Sequence, residues 1–362
     1  MPPEPSQPSP DFSQPPFAGA PEATFEPAPK DGVLPEGFFS TSNLPTYVRA
    51  GSAWLMPTRP RMDGVIVRRG SALETVEPRL VRVGEPVAMG LAEDGTQGIV
   101  VHAEGFLGGG SSPNEFRFMG TEVSRERPVN YDEMAEHVEA ERRAGGYLVW
   151  VVGPAVVHSR ARADFEWFIR QGYVQAVLVG NAVAVHDIEA AMYGTTLGMT
   201  HTGKPALAGH GLHMRAINRV RAEGSIEAAV SSGLIGSGIM HTVITQRIPY
   251  VLAGSIRDDG PLPGVICSSL EAQDAMRAHT TRATGAVFVA TALHAIAVGN
   301  MLPSFHTHRG RPEPLMTICV DQTEFVVSKL KDRGTHQAYG VVTNAQDFMH
   351  VLRFYVEKCR ST

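Results

Sequence analysis

The sequence predicts an α/β protein: a doubly wound, parallel-sheet domain preceded by a small β-rich domain. Three observations predict it. From residue 146 onward, six apolar runs alternate with helical patterns, the arrangement that builds βαβ units. Within that region VQAVLVGNAVAVHDIE (174–189) passes without a loop from a continuous apolar run into a helical pattern, as a buried parallel strand does at the carboxyl edge of a sheet. Upstream, residues 46–118 are short alternating runs, some separated by the turn pairs Asp63-Gly64 and Asp94-Gly95, as in an antiparallel domain.

In chain order, residues 1–45 come first. Ten of the 26 prolines fall in the first 30 residues, among Ser, Gln and Glu. Such a stretch buries too little apolar surface to offset its chain entropy, so a disordered extension is expected over 1–45. The small β-rich domain is expected over 46–125, from the runs YVRAG, AWLMP, GVIVRR, LVRVG, PVAMGLA and GIVVHAE, with GFLGGGSSP (105–113) as a flexible loop. A helical connector over 126–145, containing MAEHVEAERRA, leads into a domain over 146–362. Its six strands are expected at 147–153, 174–180, 249–254, 285–290, 315–320 and 339–343. Helices fit between them at 162–171, 183–193, 212–222, 225–233, 237–247, 270–282, 323–331 and 345–358. The most apolar long run, 285–302, carries His294, Gly299 and Asn300 and reads as a strand followed by a helix rather than a membrane span.

Composition narrows the class. A hydrophobic share of 43% and a charged share of 19% suit a soluble globular enzyme. The net charge is −5 with no long basic run, which speaks against nucleic acid and anionic membranes as partners. Cys267, Cys319 and Cys359 are odd in number and scattered, so reduced thiols in a cytoplasm are expected. Residues 1–20 lack the basic start and apolar core of a signal peptide.

The residues able to carry chemistry cluster where strands end. A strand that turns at once into a helix brings backbone N–H groups and the helix's positive end to the edge where open α/β folds bind ligands. Asn181, His186, Asp187 and Glu189 fall just past such an edge. Asp321 closes LMTICVD; there a carboxylate can accept both ribose hydroxyls of NAD and repel the 2′-phosphate of NADP, or serve as a helix cap. Arg257, Asp258 and Asp259 share the turn SIRDDGPLP. Adjacent carboxylates there can divide roles, one ionised against Arg and one poised to take a proton, or form an Asx-type turn with a surface ion pair. TALHAIAVGN offers backbone amides to a pyrophosphate, with His294 facing the ligand or the core, and Asn344-Ala345 lie at the same edge. Gly153, Pro154 and His158 fall near it too. His210 and His213 lack the partner ligands a metal would need, and His306 and His308 read as a solvated loop, so no metal site is expected. The run GLIGSG follows no strand and G-x-G-x-x-G is absent, which makes this an atypical dinucleotide fold.

The phrases GPAVVH, VLVGNAVAVHDIE, GSIEAAV, VLAGSIRDDGPLP, EAQDAMR, ALHAIAVGNMLP, ICVD and KLKDRG, in this order, resemble the archaeal and cyanobacterial ornithine cyclodeaminase family, which overlaps the LOR/SDH bifunctional enzyme conserved region. The resemblance implies a Rossmann-like, deoxyhypusine-synthase-like domain that holds NAD, and conversion of L-ornithine to L-proline and ammonia by a redox loop without net redox. By motif it places Asn181, Ala182, Asp259, Thr291, Ala292, Leu293 and His294 against NAD, Asp321 on the ribose, and Asn344 and Ala345 at the closing edge. Asp259, Asp258, His186 and His294 are the candidates for proton transfer, and Arg257 or Arg215 for the substrate carboxylate. A homo-oligomer, dimer or tetramer, is implied as well. The rival readings are a related enzyme for another diamino acid, such as lysine, and a non-catalytic NAD-binding regulator. The link SFHTHRGRPEP (304–314) is longer than the family's and reads as an added flap.

Overall fold

The structure, a computed structural model, describes residues 10–102, 129–200, 202–207, 209–258, 260–308, 311–332 and 338–361. The chain divides into two units: Met1–Arg127 with Gly299–Leu315 and Lys331–Gln337, and Pro128–Val298 with Met316–Leu330 and Ala338–Thr362.

The second unit is built on a parallel sheet of β1 (Leu148–Val152), β2 (Ala176–Gly180), β3 (Tyr250–Ala253), β4 (Gly285–Val289), β5 (Met316–Asp321) and β6 (Ala338–Val342). All six expected strands are present. Their order is β3-β2-β1-β4-β5-β6 and every pairing is parallel. This is the doubly wound dinucleotide order, and the direction of winding reverses between β1 and β4. The strands β1 and β4 are buried at every residue, which is why LVWVV and GAVFV are apolar without alternation.

Eleven helices are described: α1 (Tyr131–Arg143), α2 (Ala155–His158), α3 (Arg162–Arg170), α4 (Asn181–Tyr193), α5 (Leu212–Glu223), α6 (Ile226–Ser231), α7 (Ile239–Thr245), α8 (Ser269–Thr280), α9 (Ala292–Met301), α10 (Glu324–Asp332) and α11 (Ala345–Ser361). Side-chain caps start several of them: Asn130 receives the Glu133 N–H, Ser225 the Ala228 N–H and Ser268 the Glu271 N–H. The helix α4 is different. It begins directly off β2, two residues earlier than the sequence pattern indicates, and its N-cap Gly180 supplies no side-chain acceptor. Its first N–H groups are therefore left for another partner. No described helix is long and apolar enough to cross a membrane.

The core of this unit gathers Trp150, Phe165, Phe168 and Tyr173, with the Trp150 indole N–H donating 2.8 Å to the Tyr173 carbonyl. The helix α1 is tied in through Glu139, whose carboxylate accepts from Arg142 at 2.7 Å, Arg143 at 2.8 Å and the Tyr173 hydroxyl at 2.5 Å. The Arg142 bond leads in holding its pKa down from 4.5 to about 2, against the opposing effect of burial. A depressed carboxylate adds stability above its unfolded pKa and loses it as pH falls through the folded one. Thermal melts from pH 6 to roughly pH 2 should therefore show a steep acid loss that flattens in Glu139→Gln; an unchanged acid limb would contradict this role.

Among its described residues the first unit holds two antiparallel sheets besides the two-stranded hairpin at 305–314. One pairs residues 25–27, 86–88, 65–69 and 72–76 in that order; the other pairs 53–55, 46–50 and 99–101. The run LVRVG is not a strand: Pro78–Leu80 form a 3-10 turn, with proline in the first turn where its missing N–H costs nothing. The expected disorder over 1–45 is also corrected across the described part. Phe25–Pro27 is an edge strand on 86–88, and Ala23, Ala28 and Phe39 are buried. Phe12 stacks on Trp54 at 5.1 Å and meets Tyr47 edge-on, while Arg49 donates 3.1 Å to the Phe17 carbonyl. The segment is poor in apolar residues, but those it has are large aromatics, and its prolines lower the entropy of the unfolded chain. Deleting residues 1–28 should lower the melting temperature of this unit and red-shift tryptophan emission as Trp54 is uncovered; unchanged melting and emission would show the segment to be dispensable.

The link 304–314 is a hairpin, Phe305–His308 paired with Arg311–Pro314, and it belongs to the first unit. His306 is thus a strand residue, 3.9 Å from Glu313, rather than part of a solvated loop. The Gly-rich loop 105–113 lies outside the described residues.

Candidate active site

The carboxyl ends of β1 and β4 meet at the reversal point, and their approach depends on glycine. The Gly153 N–H donates 2.8 Å to the Val289 carbonyl, extending the β1–β4 pairing by one residue. A Cβ on Gly153 would lie 1.8 Å from the Ala290 carbonyl oxygen. Ala290 itself is held at φ +53°, a left-handed conformation that alanine rarely adopts and that turns the chain sharply into α9. One strand over, a Cβ on Gly180 would lie 2.8 Å from His294 Cε1. The His294 ring thus rests on the end of β2, and its burial lowers its pKa below the ordinary histidine value, favouring the neutral imidazole. Thr291, Ala292, Leu293 and His294 form the entry to α9, with Leu293 74% exposed.

Asn181 is buried at the start of α4 and binds the loop after β3. Its Nδ2 donates 3.0 Å to Asp258 Oδ1 and its Oδ1 accepts from the Leu262 N–H at 3.2 Å. The other Asp258 oxygen accepts the Ser255 N–H at 2.7 Å. Both carboxylate oxygens are therefore used to shape SIRDDGPLP. Arg257 is exposed and its backbone N–H donates to Ser255 Oγ; of the two carboxylates expected to divide roles beside it, Asp258 is engaged by Asn181 and Ser255. Asp259 lies outside the described residues. Arg221 fastens the same loop by donating 2.8 Å to the Pro261 carbonyl.

At the far side, Asp321 Oδ1 accepts from the Thr323 N–H at 3.0 Å and its hydroxyl at 2.9 Å, an Asx turn just before α10. Asn344 is the N-cap of α11, accepting the Asp347 N–H at 2.8 Å and donating 2.6 Å to the Asp347 carboxylate, so it is Ala345 and the backbone that this edge presents.

The group expected beside Asn181 separates in the structure. Asp187, fully buried, accepts from Arg162 at 2.6 Å and from the N–H groups of Ile239 and Met240 at 2.9 and 2.8 Å. It secures the start of α7 and does not face the edge. Glu189, equally buried, accepts from the Thr195 hydroxyl and the Leu197 and Gly198 N–H groups, shaping the turn after α4. Burial raises its pKa, but the His186 ring and these donors more than offset that and leave it below the usual carboxylate range. His186 Nδ1 is 3.7 Å from Glu189, and its ring centroid is 4.7 Å from that of His158. Sequence reasoning placed His158 near the edge without a role; its signal was the GPAVVH phrase directly after β1. The missed packing roles of Gly153 and Gly180 depend on which strands become neighbours.

Comparison with known proteins adds the following. Residues 132–352 match the family model described as arginine dihydrolase ArgZ-like, C-terminal, Rossmann fold, and residues 45–132 match the first region of the same C-terminal part. An ornithine cyclodeaminase of Methanopyrus kandleri is 43% identical over 336 residues, covering 91% of this chain and 77% of that protein. The bifunctional arginine dihydrolase/ornithine cyclodeaminase AgrE of Nostoc sp. is 37% identical, over 94% of this chain and 47% of AgrE. Among solved structures, a LOR/SDH protein from Methanococcus maripaludis S2 superposes with a TM-score of 0.83 at 39% identity, over 94% of this chain and 99% of that one. The ternary complex of AgrE with ornithine and NAD+ superposes with a TM-score of 0.59 at 36% identity, over 95% of this chain and 47% of the AgrE chain.

Proposed function

The chain belongs to the family that joins the archaeal ornithine cyclodeaminases to the C-terminal part of ArgZ-like arginine dihydrolases, and on that premise we propose that it converts L-ornithine to L-proline and ammonia with NAD as its cofactor. The observation that carries the reading is the reversal point itself. Two glycines there let the Ala290 backbone and the His294 ring pack directly on the strand ends, an uncapped helix starts beside them, and a carboxylate ends β5. Those features fit a dinucleotide: N–H groups for a pyrophosphate at Asn181 and Ala182, a wall at Thr291, Ala292, Leu293 and His294, Asp321 for a ribose, and Asn344 with Ala345 at the rim. AgrE, which shares this architecture, has been crystallised with ornithine and NAD+.

When bound, NAD supplies an oxidant that takes the hydrogen from the substrate Cα and returns it in the same turnover. The chain's task is to move protons and hold the substrate. His294, neutral through burial, can accept a proton. Asp258 binds Asn181 and Ser255; its sequence neighbour Asp259 is the proposed proton-handling carboxylate, and the exposed Arg257 guanidinium suits a substrate carboxylate. The reading carries with it a small amino-acid substrate, a cytoplasmic setting and a homo-oligomer, dimer or tetramer, to be measured by light scattering.

Purified protein given L-ornithine should release proline and ammonia in equal amounts with no net change in NAD. Release from L-lysine alone would move the assignment to another diamino acid, and release from neither would favour a cofactor-binding regulator. Asp321 should also make the protein prefer NAD to NADP. Asp321→Ala should weaken NAD binding by about 1–2 kcal/mol, the scale of lost hydrogen bonds to a charged acceptor; equal wild-type affinity for the two cofactors, measured by calorimetry, would count against the ribose contact.

A further inference from the structure

We infer that His158 exchanges the proton of the substrate α-nitrogen, a role separate from the one proposed for Asp259, and that it is positioned through His186 by the buried Glu189; this rests on the cyclodeaminase reading. β1 stops at Val152, and after Gly153 and Pro154 the four-residue α2 carries His158 at its last position, exposed. At about 1.5 Å of rise per residue, so short a helix leaves His158 within one turn of the reversal point. On α4, Ala182, His186 and Glu189 stand at i, i+4 and i+7, one stripe running inward from the helix start. The stripe that opens at a proposed cofactor contact thus continues into the histidine that meets His158.

The three groups form a file from core to solvent. Glu189 is fully buried and its hydrogen-bond donors, Thr195, Leu197 and Gly198, are uncharged. Neutral donors solvate a carboxylate without cancelling its charge. Among the described residues the His186 ring is a charge partner of Glu189 at 3.7 Å, and His186 Nδ1 is buried with no hydrogen bond made. His186 is 8% exposed, and its ring lies 4.7 Å from that of His158 at 54°. A turn-shaping role for Glu189 needs its acceptor oxygens but not its charge, and it does not need two stacked imidazoles. The charge has a use if protons reside on the histidines for part of each turnover.

The titratable groups acting on His158 are known. Partial burial lowers its pKa most and His186 lowers it further, while Glu189 acts in the opposite direction, which favours the neutral, basic ring. The helices α3 and α11 also pack on α2. Their charges pair among themselves, with α4 or with α1: Arg162 with Asp187, Asp164 with Arg353 and His350, Glu166 with Arg170, Arg353 with Glu357, and Lys358 with Asp132.

The chemistry balances. Ornithine enters with two ammonium groups, and proline leaves with one as ammonium departs, so no proton is gained or lost overall. One N–H bond of the α-ammonium must break before the Cα hydrogen can leave as hydride, one of the δ-ammonium must break before that nitrogen can bond Cα, and two must form on the α-nitrogen for it to depart as ammonium. His158 takes the first proton as imidazole and returns it as imidazolium, with bound NAD as the only oxidant.

The test uses the full-length chain with NAD and L-ornithine. His158→Gln should lower kcat by about 100-fold or more while the NAD dissociation constant and the melting temperature stay close to wild type. The supporting readout is the titration of the His158 ring by NMR and the acid limb of kcat/KM. Glu189→Gln should move both to lower pH, and His186→Gln should move both to higher pH; if Glu189→Gln does not fold, the His186→Gln shift decides. Wild-type kcat and an unmoved acid limb in His158→Gln overturn the inference, as does a His158 titration indifferent to both neighbours. Absence of turnover in the wild type would sink the cyclodeaminase reading, and the NMR titrations would still decide whether the file couples.

Discussion

Gly153→Ala is expected to destabilise the protein by about 3 kcal/mol, at the upper end of overpacking, and to abolish measurable NAD binding. The added methyl would sit 1.8 Å from a backbone oxygen of Ala290. No rotamer change relieves that contact. Either β1 and β4 separate at their carboxyl ends, losing the bond from the Gly153 N–H to Val289, or Ala290 leaves its left-handed conformation and α9 starts elsewhere. Both outcomes distort the crevice at the point where the sheet reverses. For a unit of this size the loss corresponds to roughly 6–12 °C in melting temperature. Gly236→Ala is the control, because a Cβ there meets nothing within 4 Å. A Gly153→Ala protein that melts with the control and still binds NAD would mean that the two strand ends are not in contact.

That close contact also marks the limit of what the linear text reveals. The strands β1 to β6 were legible because buried parallel strands must be continuously apolar, and α4 because an apolar run gave way to a helical period at Gly180-Asn181. Their spatial order was not legible. Nothing local in LVWVV or GAVFV says that these two lie side by side, so the need for glycine at 153 could not be read. Asp187 and Glu189 were misplaced for a related reason. On a helix, neighbouring residues diverge by about 100°, so two carboxylates that look clustered in sequence face different partners, α7 for one and the turn at 195–198 for the other. At the N-terminus composition misled: proline is the commonest residue over 10–45, yet Phe12, Phe25 and Phe39 each find a sheet to pack on. A few large aromatics outweigh a low average.

L-ornithine deuterated at Cα should give proline that retains the deuterium, and Asp259→Asn should reduce that conversion by about 10²-fold with NAD affinity little changed. The neighbouring Asp258→Asn should behave in the opposite way. Asp258 already spends one oxygen on Asn181 and the other on the Ser255 N–H. An amide can accept at only one of those places and presents a donor to a donor at the other. The loop 255–262 would then loosen at Asn181, the first residue of α4, and cofactor affinity should fall before kcat does. The pair therefore separates a carboxylate that moves a proton from one that holds a loop, although they are adjacent in sequence. If Asp259→Asn costs affinity instead of turnover, its role is to order the cofactor and the proton passes elsewhere. The isotope answers a different question and does not depend on either variant: a redox loop returns the same hydrogen to the carbon it came from. Loss of the deuterium to solvent would exclude that loop, whatever product accumulates.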